Sequence, residues 1–438
     1  MSSRQTTFDD LKSTAGFKAG SECKMKYPVR LNYGIFGISF KAEANILSSL
    51  ALALILCLSP LRSQEVELFG YFETQVSDTE LDNEVFQLYT NKLRVDLKSY
   101  LSDNITFAAN YDYITYHGKT EWNILALLPV HITSTVPSAL QSLYTIGFVD
   151  ENFLDNAYIK LSFNPLDLTV GKQQISPGTG YVWNPTDIFN TKDVLDPTYE
   201  QPGHNAVRMD IPIGYTHTIT VLYGPEATWR TSEKLLQFKG RVSHFDYALI
   251  GIERQWIFHD YTQFDFQNSK FVGLPEKRRL LGASTAGELF GMGIWAEYAY
   301  NNMAVSKNFY ELVVGTDYTF EAQTYLMLEY YRNTLGKNDY RKYDLNDWMR
   351  LIVGEQKAIS HDQVYALIRH PFTDLLDLGM ASIYSISDNS AALVPTLNYS
   401  LWENVEITAY LNINLGKEGT AYSASYGNGG LLRARVYF

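Results

Sequence analysis

Four side chains suited to binding a small polar molecule occur close together between residues 171 and 190. Lys172 supplies a cation, Gln173 an amide, Trp183 a flat aromatic face and Asp187 a carboxylate. The surrounding segment, GKQQISPGTGYVWNPTDIFN, is rich in Gly, Pro and Asn, so we expect a compact, turn-rich loop. Either these side chains face a polar solute, with Lys172 and Asp187 as opposite charges, or the loop packs against the rest of the protein.

Residue pairs that could support catalysis are few. Ser360 and His361 are adjacent, and neighbours in a strand point to opposite faces, so they do not form a nucleophile–base pair. His259-Asp260 and His361-Asp362 are His–carboxylate couples, but residues 64–438 contain no Asp-Asp dipeptide to complete a protease site. Neither a Gly-rich phosphate loop nor a His/Cys cluster occurs. We therefore expect no enzyme, no metal and no cofactor.

The chain that carries these residues alternates between apolar and polar positions. One apolar set, Leu93, Val95 and Leu97, alternates with Arg94, Asp96 and Lys98. Another runs through Leu432, Ala434, Val436 and Phe438, with Arg433 and Arg435 between them. Period two with one apolar face predicts strands that meet water on one side only.

Repeating this pattern predicts about 18 strands, with 16 as the alternative count. Their expected ranges are 65–76, 84–99, 104–117, 154–163, 166–175, 205–212, 216–223, 234–242, 245–254, 277–285, 291–301, 308–318, 324–333, 361–370, 376–386, 391–401, 405–415 and 430–438. Connections after even-numbered strands are mostly tight. The long ones, at 118–153, 176–204, 255–276, 334–360 and 416–429, all follow odd-numbered strands. A β-sandwich has no reason to sort loops by parity, whereas a transmembrane barrel does.

A closed barrel with lipid-facing apolar positions turns the alternating charges into its lumen. The inward set is Arg94, Asp96, Lys98, Asp112, Lys160, Glu297, Glu311, Asp317, Glu329, Arg433 and Arg435. Closure brings the first and last strands together, so Arg94, Lys98, Arg433 and Arg435 form a basic ladder opposite Glu297, Glu311, Asp317 and Glu329. Such a ladder sets a transverse field across a pore. In the alternative, the charges pair with one another and hydrate the interior.

Residues 1–63 have the features of an export signal. Ile46–Leu58 is an apolar run of thirteen residues, too short for a membrane-spanning helix of roughly 20. Lys41 precedes it and SPLRS follows it, which is the layout of a secretory signal cleaved near Ser63. The polar stretch before Lys41 suggests Met25 as the true start. A buried core helix is the alternative reading of the run.

Composition agrees with an exported barrel. Aromatics make up 14% of the chain, including 32 Tyr, and both cysteines (Cys23 and Cys57) precede the cleavage point. A mean hydropathy of -0.17 is too polar for a helical membrane protein. Residues 64–438 hold 28 basic and 44 acidic residues, a net charge of -16, which argues against nucleic-acid binding. Acidic loops also suit a lipopolysaccharide surface bridged by divalent cations.

Three smaller segments have two interpretations each. The acidic loops 78–84 and 339–347 offer carboxylates to Ca²⁺, although a solvated run of charges fits their spacing better. Trp122–Val130 is an apolar patch that predicts a short helix, which either packs on the barrel's rim or binds a partner.

Two segments resemble bacterial outer-membrane proteins. The run from Gly171-Lys172-Gln173 to Asn184-Pro185-Thr186-Asp187 resembles a stretch of porin-like barrels of the alginate-export and uncharacterised types. In those proteins Gly-Arg-Gln leads through Trp-Gly to Asn-Pro-Thr-Asp; here Lys172 replaces the Arg, and Pro177 stands where Trp is common. The strand ending in Phe438 resembles the assembly signal of such barrels, with Arg433 in place of a frequent Gly.

These observations predict an all-β transmembrane antiparallel barrel over residues 64–438, following a removed segment 1–63. The resemblance implies a porin-like channel in the bacterial outer membrane for passive diffusion of small hydrophilic solutes. The alternative is a non-conducting surface barrel whose loops bind a partner or ligand. Expected partners are outer-membrane lipid and lipopolysaccharide, the assembly machinery and the solutes, and an oligomer is compatible with the sequence. The pore candidates are Lys172, Gln173, Trp183, Asp187, Arg94, Lys98, Glu311, Arg433 and Arg435.

Overall fold

The computed structural model of the protein describes residues 65–81, 84–192 and 200–438. Within these ranges, eighteen strands form one antiparallel sheet and two short strands form a separate hairpin. The large sheet contains β1 (Glu65–Leu81), β2 (Glu84–Ser102), β3 (Ile105–Gly118), β6 (Glu151–Phe163), β7 (Leu166–Gln173), β8 (His204–Ile213), β9 (His217–Gly224), β10 (Glu233–Val242), β11 (Phe245–Asp265), β12 (Lys270–Leu289), β13 (Met292–Met303), β14 (Phe309–Thr319), β15 (Tyr325–Asn333), β16 (Asp362–Thr373), β17 (Leu376–Ser385), β18 (Ser390–Trp402), β19 (Val405–Asn414) and β20 (Asn428–Tyr437). The small hairpin pairs β4 (Glu121–Asn123) with β5 (Thr145–Gly147).

The large sheet closes on itself. Each strand pairs with its neighbours along the chain, and β1 pairs with β20 from Tyr71–Tyr437 to Glu80–Asn428. Beyond that ladder, the backbone of Phe438 exchanges two hydrogen bonds of 3.0 Å with Gly70. Closure leaves no unpaired sheet edge, which is a requirement for strands in lipid. The predicted all-β barrel of 18 strands is therefore confirmed, and each predicted strand overlaps an observed one.

The long loops lie at one end of the barrel and the short turns at the other, as predicted. One end has short turns, and the other has the β3–β6 connection (119–150), the β7–β8 loop (174–203, without 193–199), the β15–β16 loop (334–361) and the β19–β20 loop (415–427). Two short helices lie in these loops: α1 (Val130–Thr133) and α2 (Leu345–Ile352). Within the described ranges, no helix is long and apolar enough to cross a membrane.

Helix α2 begins where two carboxylates cap it. Asp344 accepts the Asp347 backbone N–H at 3.0 Å, and Asp347 accepts that of Asp344 at 2.9 Å, which satisfies two donors that a helix start leaves free. The acidic run 339–347 thus has a structural use. Asp339, in the same run, binds Arg341. The other acidic segment, 78–84, lies partly outside the described residues.

One predicted long loop is wrong. Residues 255–276 form an extension of the β11–β12 hairpin, whose 21- and 20-residue strands join at 266–269. The backbone of this stretch binds α2. The Tyr261 N–H donates to Asn346 Oδ1 at 2.6 Å, and the Arg350 guanidinium donates to the His259 carbonyl.

Trp122–Val130 is only partly helical. Its first residues belong to β4, Ile124–Leu127 form a 3₁₀ turn, and α1 begins at Val130. Ile124 and Leu125 are buried in an apolar cluster that the long loops share with the inner face of the barrel. This part of the apolar patch therefore packs against the protein's own barrel.

The outer and inner faces of each strand differ as the alternation predicts. On β15, Met327, Glu329 and Tyr331 are 0–1% exposed and face inward, whereas Leu328 is 44% exposed on the outside. At the short-turn end, an exposed aromatic side chain marks each of six connections: Phe163, Tyr215, Phe290, Phe320, Phe372 and Trp402. Aromatic rings at this level are typical of the membrane–water boundary of outer-membrane barrels.

Candidate constriction site

The β7–β8 loop folds into the barrel. Residues 182–190 are all buried, and Ile188 and Phe189 pack with the inner face of strands β8 to β13. A tight internal turn holds the loop: Asp187 Oδ1 accepts the N–H groups of Phe189 and Asn190, each at 3.0 Å. The Asn190 side chain donates to the Ile175 carbonyl at 2.6 Å. The loop is thus compact, as its composition predicts, and lies in the lumen.

Two inward carboxylates hold the loop by its backbone. Glu297 on β13 accepts hydrogen bonds from the N–H groups of Thr179, Gly180 and Thr186 and from the Thr186 hydroxyl, at 2.5–3.0 Å. Glu329 on β15 accepts those of Tyr181, Val182, Trp183 and the Trp295 indole, at 2.7–3.0 Å. Each carboxylate is 1% exposed and accepts four hydrogen bonds, which is the compensation that a buried charge requires.

The close approach requires glycine at two positions. Gly178 has φ = +102°, and a Cβ there would lie 2.6 Å from a Glu297 carboxylate oxygen. A Cβ on Gly180 would lie 1.9 Å from the Trp183 carbonyl oxygen. Larger side chains at either position would push the loop off the carboxylates.

Behind the loop, an aromatic stack leads to a third carboxylate. Trp183 stacks on Tyr331 with 4.9 Å between ring centroids and 8° between planes. The Tyr331 hydroxyl donates to Glu311 on β14 at 2.6 Å, and Glu311 lies 3.6 Å from Arg278 and 3.5 Å from Lys357. We call Glu297, Glu311 and Glu329 the acidic wall.

Two lysines bind carbonyl groups of the same loop. Lys192 donates to the Tyr181 carbonyl at 2.7 Å, and Lys357 of the β15–β16 loop donates to that of Asn184. Burial lowers the pKa of Lys192. The nearby carboxylates of Asp187, Glu329 and Glu297 oppose this effect and only partly offset it. Burial raises the pKa of Asp187, opposed chiefly by its bonds to Asn190.

The far end of the loop reaches the opposite wall. Glu200 accepts the Tyr71 hydroxyl and the Lys92 ammonium, both at 2.7 Å, and lies 3.5 Å from Arg94 and 3.4 Å from Arg435. Burial alone would raise the pKa of Glu200, but Lys92, with Tyr71 and Arg94, lowers it to about 2. The loop therefore binds both sides of the lumen, and its second anchor is ionised at neutral pH.

The predicted basic ladder is interleaved with acids. Arg435 and Arg433 lie 2.6 and 3.4 Å from Glu73. Arg94 lies within 3.6 Å of Asp96, Asp112 and Asp155. We call this set, on β1, β2, β3, β6 and β20, the ion-pair wall. It does not present uniform positive charge, because alternation on neighbouring strands places carboxylates at the same height as the cations.

The four loop candidates occupy different surroundings. Gln173 is buried and donates to the Ala206 carbonyl at 3.1 Å. Trp183 is 2% exposed and bound to β15 through Glu329 and Tyr331, and Asp187 is 1% exposed and bonded within the loop. Lys172 lies on the face of β7 that carries the exposed Val170, and its ammonium donates to the Leu154 carbonyl at 2.6 Å. The structure therefore separates Lys172 from Asp187, contrary to the expected pair of opposing charges, because strand alternation turns Lys172 outward.

The remaining pore candidates lie in the lumen at different heights. Arg94, Arg433 and Arg435 belong to the ion-pair wall, and Glu311 belongs to the acidic wall. Lys98, further towards the short-turn end, lies 4.0 Å from Glu67 and over the Tyr100 ring.

Sequence reasoning missed Glu73, Lys92, Asp155 and Glu200. Lys92 follows the same alternation as Arg94, so the pattern also predicts that it faces the lumen. Glu200 lies beyond the Gly- and Pro-rich part of the loop, and nothing in the local sequence indicates its partners on β1, β2 and β20.

The His and Ser pairs considered for catalysis have other partners. Ser360 is buried and accepts a hydrogen bond from Gln363 at 2.6 Å, and His361 Nδ1 lies 2.9 Å from Asp362. His259 binds Glu355, which also accepts the Tyr261 hydroxyl. Among the described residues, no group of three or more His, Cys, Asp and Glu side chains is placed to hold a metal ion.

No protein-family model and no curated protein matches the sequence. Among solved structures, the chain is similar to OccAB4 of Acinetobacter baumannii, with 8% identity over 87% of this chain and 100% of that one, and a TM-score of 0.51. OccAB3 of the same species gives 10% identity, coverage of 85% and 99%, and a TM-score of 0.50. OmpT, an outer membrane protein of Vibrio cholerae (trimer form), gives 10% identity, coverage of 86% and 100%, and a TM-score of 0.45.

At these identities the likeness concerns the fold. The first two matches extend over nearly the whole of each partner. A closed sheet, long loops at one end with short turns at the other, and exposed aromatic side chains at the short-turn end together make up the architecture of bacterial outer-membrane barrels. The protein is a barrel of that type, and the predicted outer-membrane location follows from the architecture.

Proposed function

We propose that the protein is a channel for passive diffusion of small hydrophilic solutes across the outer membrane, with no enzymatic activity. The observation that carries the proposal is the β7–β8 loop bound to both walls of a closed barrel. In this proposal the loop narrows the lumen and leaves part of its cross-section open. Barrels of 16–18 strands are wide enough to leave an aqueous path beside it.

The ion-pair wall supplies that path. Lys92, Arg94 and Arg435 on this wall, and Glu200 of the loop bound to it, keep 13–36% of their side chains exposed, whereas the acidic wall is covered by the loop. Gln75 pairs with Arg433 in this wall, and two residues towards the long loops Ser77 pairs with Leu431. Ser77 and Leu431 line a cavity of about 410 Å³. The cavity therefore adjoins the ion-pair wall on the side of the long loops.

The alternative is a non-conducting barrel whose long loops bind a partner. The long loops here pack part of their apolar side chains into a core that they share with the lumen, as expected of loops that shape a channel. We therefore favour the channel, and the two functions differ in a measurable way.

Conductance tests the proposal directly. Protein purified from outer membranes and added to a planar bilayer is expected to give discrete current steps. Deleting residues 178–188 removes most of the constriction and is expected to raise single-channel conductance severalfold. Absence of steps in both proteins, with intact heat-modifiable migration of the folded barrel, would support the non-conducting alternative.

Segment 1–63 lies outside the described residues, and we propose that it is removed during export. N-terminal sequencing of outer-membrane protein is expected to begin near Gln64. A sequence that begins before Ile46 would contradict cleavage. Lipopolysaccharide and the assembly machinery are the partners that the location implies, and cross-linking in intact membranes tests for an oligomer.

A further inference from the structure

Three cations surround one carboxylate on three neighbouring strands, β10, β11 and β12. Glu253 Oε1 lies 3.1 Å from Lys234 Nζ and 3.0 Å from Lys277 Nζ, and Glu253 Oε2 lies 2.9 Å from Arg279 Nε. The Arg279 side chain is 63% exposed, and those of the two lysines are about a quarter exposed. The group therefore has a surplus of two positive charges that are accessible from outside. We call these four residues the outer basic cluster.

Strand alternation places the outer basic cluster on the lipid-facing side of the barrel. Leu281 lies two positions from Arg279 and is 68% exposed, whereas Leu280 between them is 1% exposed. On β10, Leu236 lies two positions from Lys234 and is 59% exposed. Side chains two positions apart in a strand share a face of the sheet. The cations therefore point outward with these leucines, away from the lumen and both of its walls.

The outer basic cluster begins where the outward apolar positions end. One row of paired outward residues across the three strands is Leu236, Gly251 and Leu281. The next outward row towards the long loops is Lys234, Glu253 and Arg279. All three strands thus change from apolar to charged at the same height, which marks an edge of the lipid-facing band.

That edge lies at the outer surface of the membrane. Arg279 is 11 positions along β12 and its turn from Phe290, the exposed aromatic residue at the short-turn end. A tilted strand of about 9–11 residues crosses the hydrocarbon layer. Since the long loops of outer-membrane barrels are extracellular, the outer basic cluster lies level with the head groups of the outer leaflet.

An aromatic pair beside the cluster supports the same height. Trp229, in the turn between β9 and β10, is 69% exposed and stacks on Tyr223 with 5.2 Å between ring centroids. Lys234 Nζ lies 4.5 Å from the centroid of the Trp229 ring. Trp and Tyr are enriched where the hydrocarbon layer meets the head groups, so the cations next to them face the polar part of a lipid.

We propose that the outer basic cluster binds a phosphate group of lipopolysaccharide. A phosphate monoester carries about -1.5 to -2 charges at neutral pH, which matches the surplus of the cluster, and Arg and Lys are the side chains that bind phosphate oxygens best. Residues 64–438 carry a net charge of -16, so an anionic lipid needs a local surplus of positive charge of this kind. The acyl chains of the same lipid extend over the apolar row of Leu236 and Leu281.

The inference rests on the proposed location and gives the proposed lipopolysaccharide partner a place on the barrel, but it does not depend on conduction. The other occupant of such a surface is a second copy of the chain. A contact between two barrels at this level would bury the surplus cations without counter-charges, which is costly. We therefore favour the lipid.

The test uses lipid A, the membrane anchor of lipopolysaccharide, in its bis-phosphorylated and dephosphorylated forms. Native mass spectrometry of the detergent-solubilised protein counts both bound lipid and protein copies. The parent is expected to bind the phosphorylated form at least tenfold more tightly. Lys277→Gln combined with Arg279→Gln is expected to weaken binding of that form about tenfold and to leave binding of the dephosphorylated form unchanged.

Arg241→Gln combined with Arg369→Gln is the matched control. It also removes two exposed cations, each paired with one Asp, but at the short-turn end of the barrel. This double variant is expected to bind both forms of lipid A as the parent does. Heat-modifiable migration checks the folding of each variant.

The outcomes separate the proposals. Equal binding of the two lipid forms by the parent, an unchanged affinity in Lys277→Gln with Arg279→Gln, or an equal loss in the control would overturn the lipid site. A fall in protein copy number in that variant, with lipid binding unchanged, would assign the surface to a contact between copies instead. Preference for the phosphorylated lipid without current steps in bilayers would overturn the channel alone, and current steps without that preference would overturn the lipid site alone.

Discussion

The two walls of the lumen compensate their inward-facing charged side chains in different ways. The acidic wall has three glutamates at most 2% exposed, and two of them are neutralised largely by backbone N–H groups of a loop. The ion-pair wall mixes cations and carboxylates side by side and keeps several of them partly exposed. The acidic wall thus binds backbone N–H groups of the chain's own loop. The ion-pair wall, whose charges pair with one another, stays partly accessible to water.

The largest expected effect comes from the acidic wall. Glu297→Gln combined with Glu329→Gln replaces acceptors by amides whose NH₂ groups face N–H donors. We expect the loop to leave the wall, single-channel conductance to rise severalfold, and stability to fall by about 2–4 kcal/mol. Single-channel recording and the temperature of heat-modified migration measure the two effects.

Glu403→Gln, in an exposed turn, is the control for that double variant. If the double variant and the control both conduct as the parent does, the glutamates do not hold the constriction.

The next effect concerns the second anchor. Glu200→Gln removes the carboxylate that Lys92, Arg94 and Arg435 share. We expect a shift of selectivity towards anions, because three cations lose a common counter-charge in a poorly screened lumen. Reversal potentials in a salt gradient measure the shift, with exposed Glu121→Gln as control. Equal reversal potentials for parent and variant would place Glu200 away from the permeation path.

The pH dependence of this anchor follows from the lowered pKa of Glu200. A carboxylate whose pKa falls from 4.5 to about 2 on folding adds stability above pH 4.5 and loses it as pH falls towards 2. We therefore expect the selectivity contributed by Glu200 to stay constant from neutral pH down to about 4.5 and to fade towards pH 2. Reversal potentials of the parent relative to Glu200→Gln over this range give the titration. A difference already lost at pH 5 would refute the strong coupling to Lys92.

The smallest effect is expected from Arg433→Gln. Arg435 remains 2.6 Å from Glu73, so the carboxylate keeps one cation. Selectivity should move slightly towards cations, opposite in sign to Glu200→Gln and smaller. Lys417→Gln, in an exposed loop, is the control. A shift larger than that of Glu200→Gln would mean that Arg433, rather than Arg435, is the main partner of Glu73.

The amino-acid pattern predicted the strands well because each has its own alternation. β13 and β15 could be placed within two residues at either end, and Glu297, Glu311 and Glu329 were assigned to the lumen from the same period. The pattern failed where a strand is extended by a tertiary contact. Residues 255–265 bind α2, a partner about 90 positions away in the chain, through the Tyr261 N–H and the His259 carbonyl, and the local sequence cannot distinguish such a strand from a loop.

The sequence thus decided the class of structure: period-two alternation, tight turns after alternate strands and the length of the chain require a closed barrel of about 18 strands. The same local rules decided which charges face the lumen. Closure of the barrel decided which of those charges form ion pairs. It also decided which wall the far end of the β7–β8 loop contacts. Contacts such as Glu73–Arg435 and Glu200–Lys92 join residues 362 and 108 positions apart, and only the folded ring brings them within bonding distance.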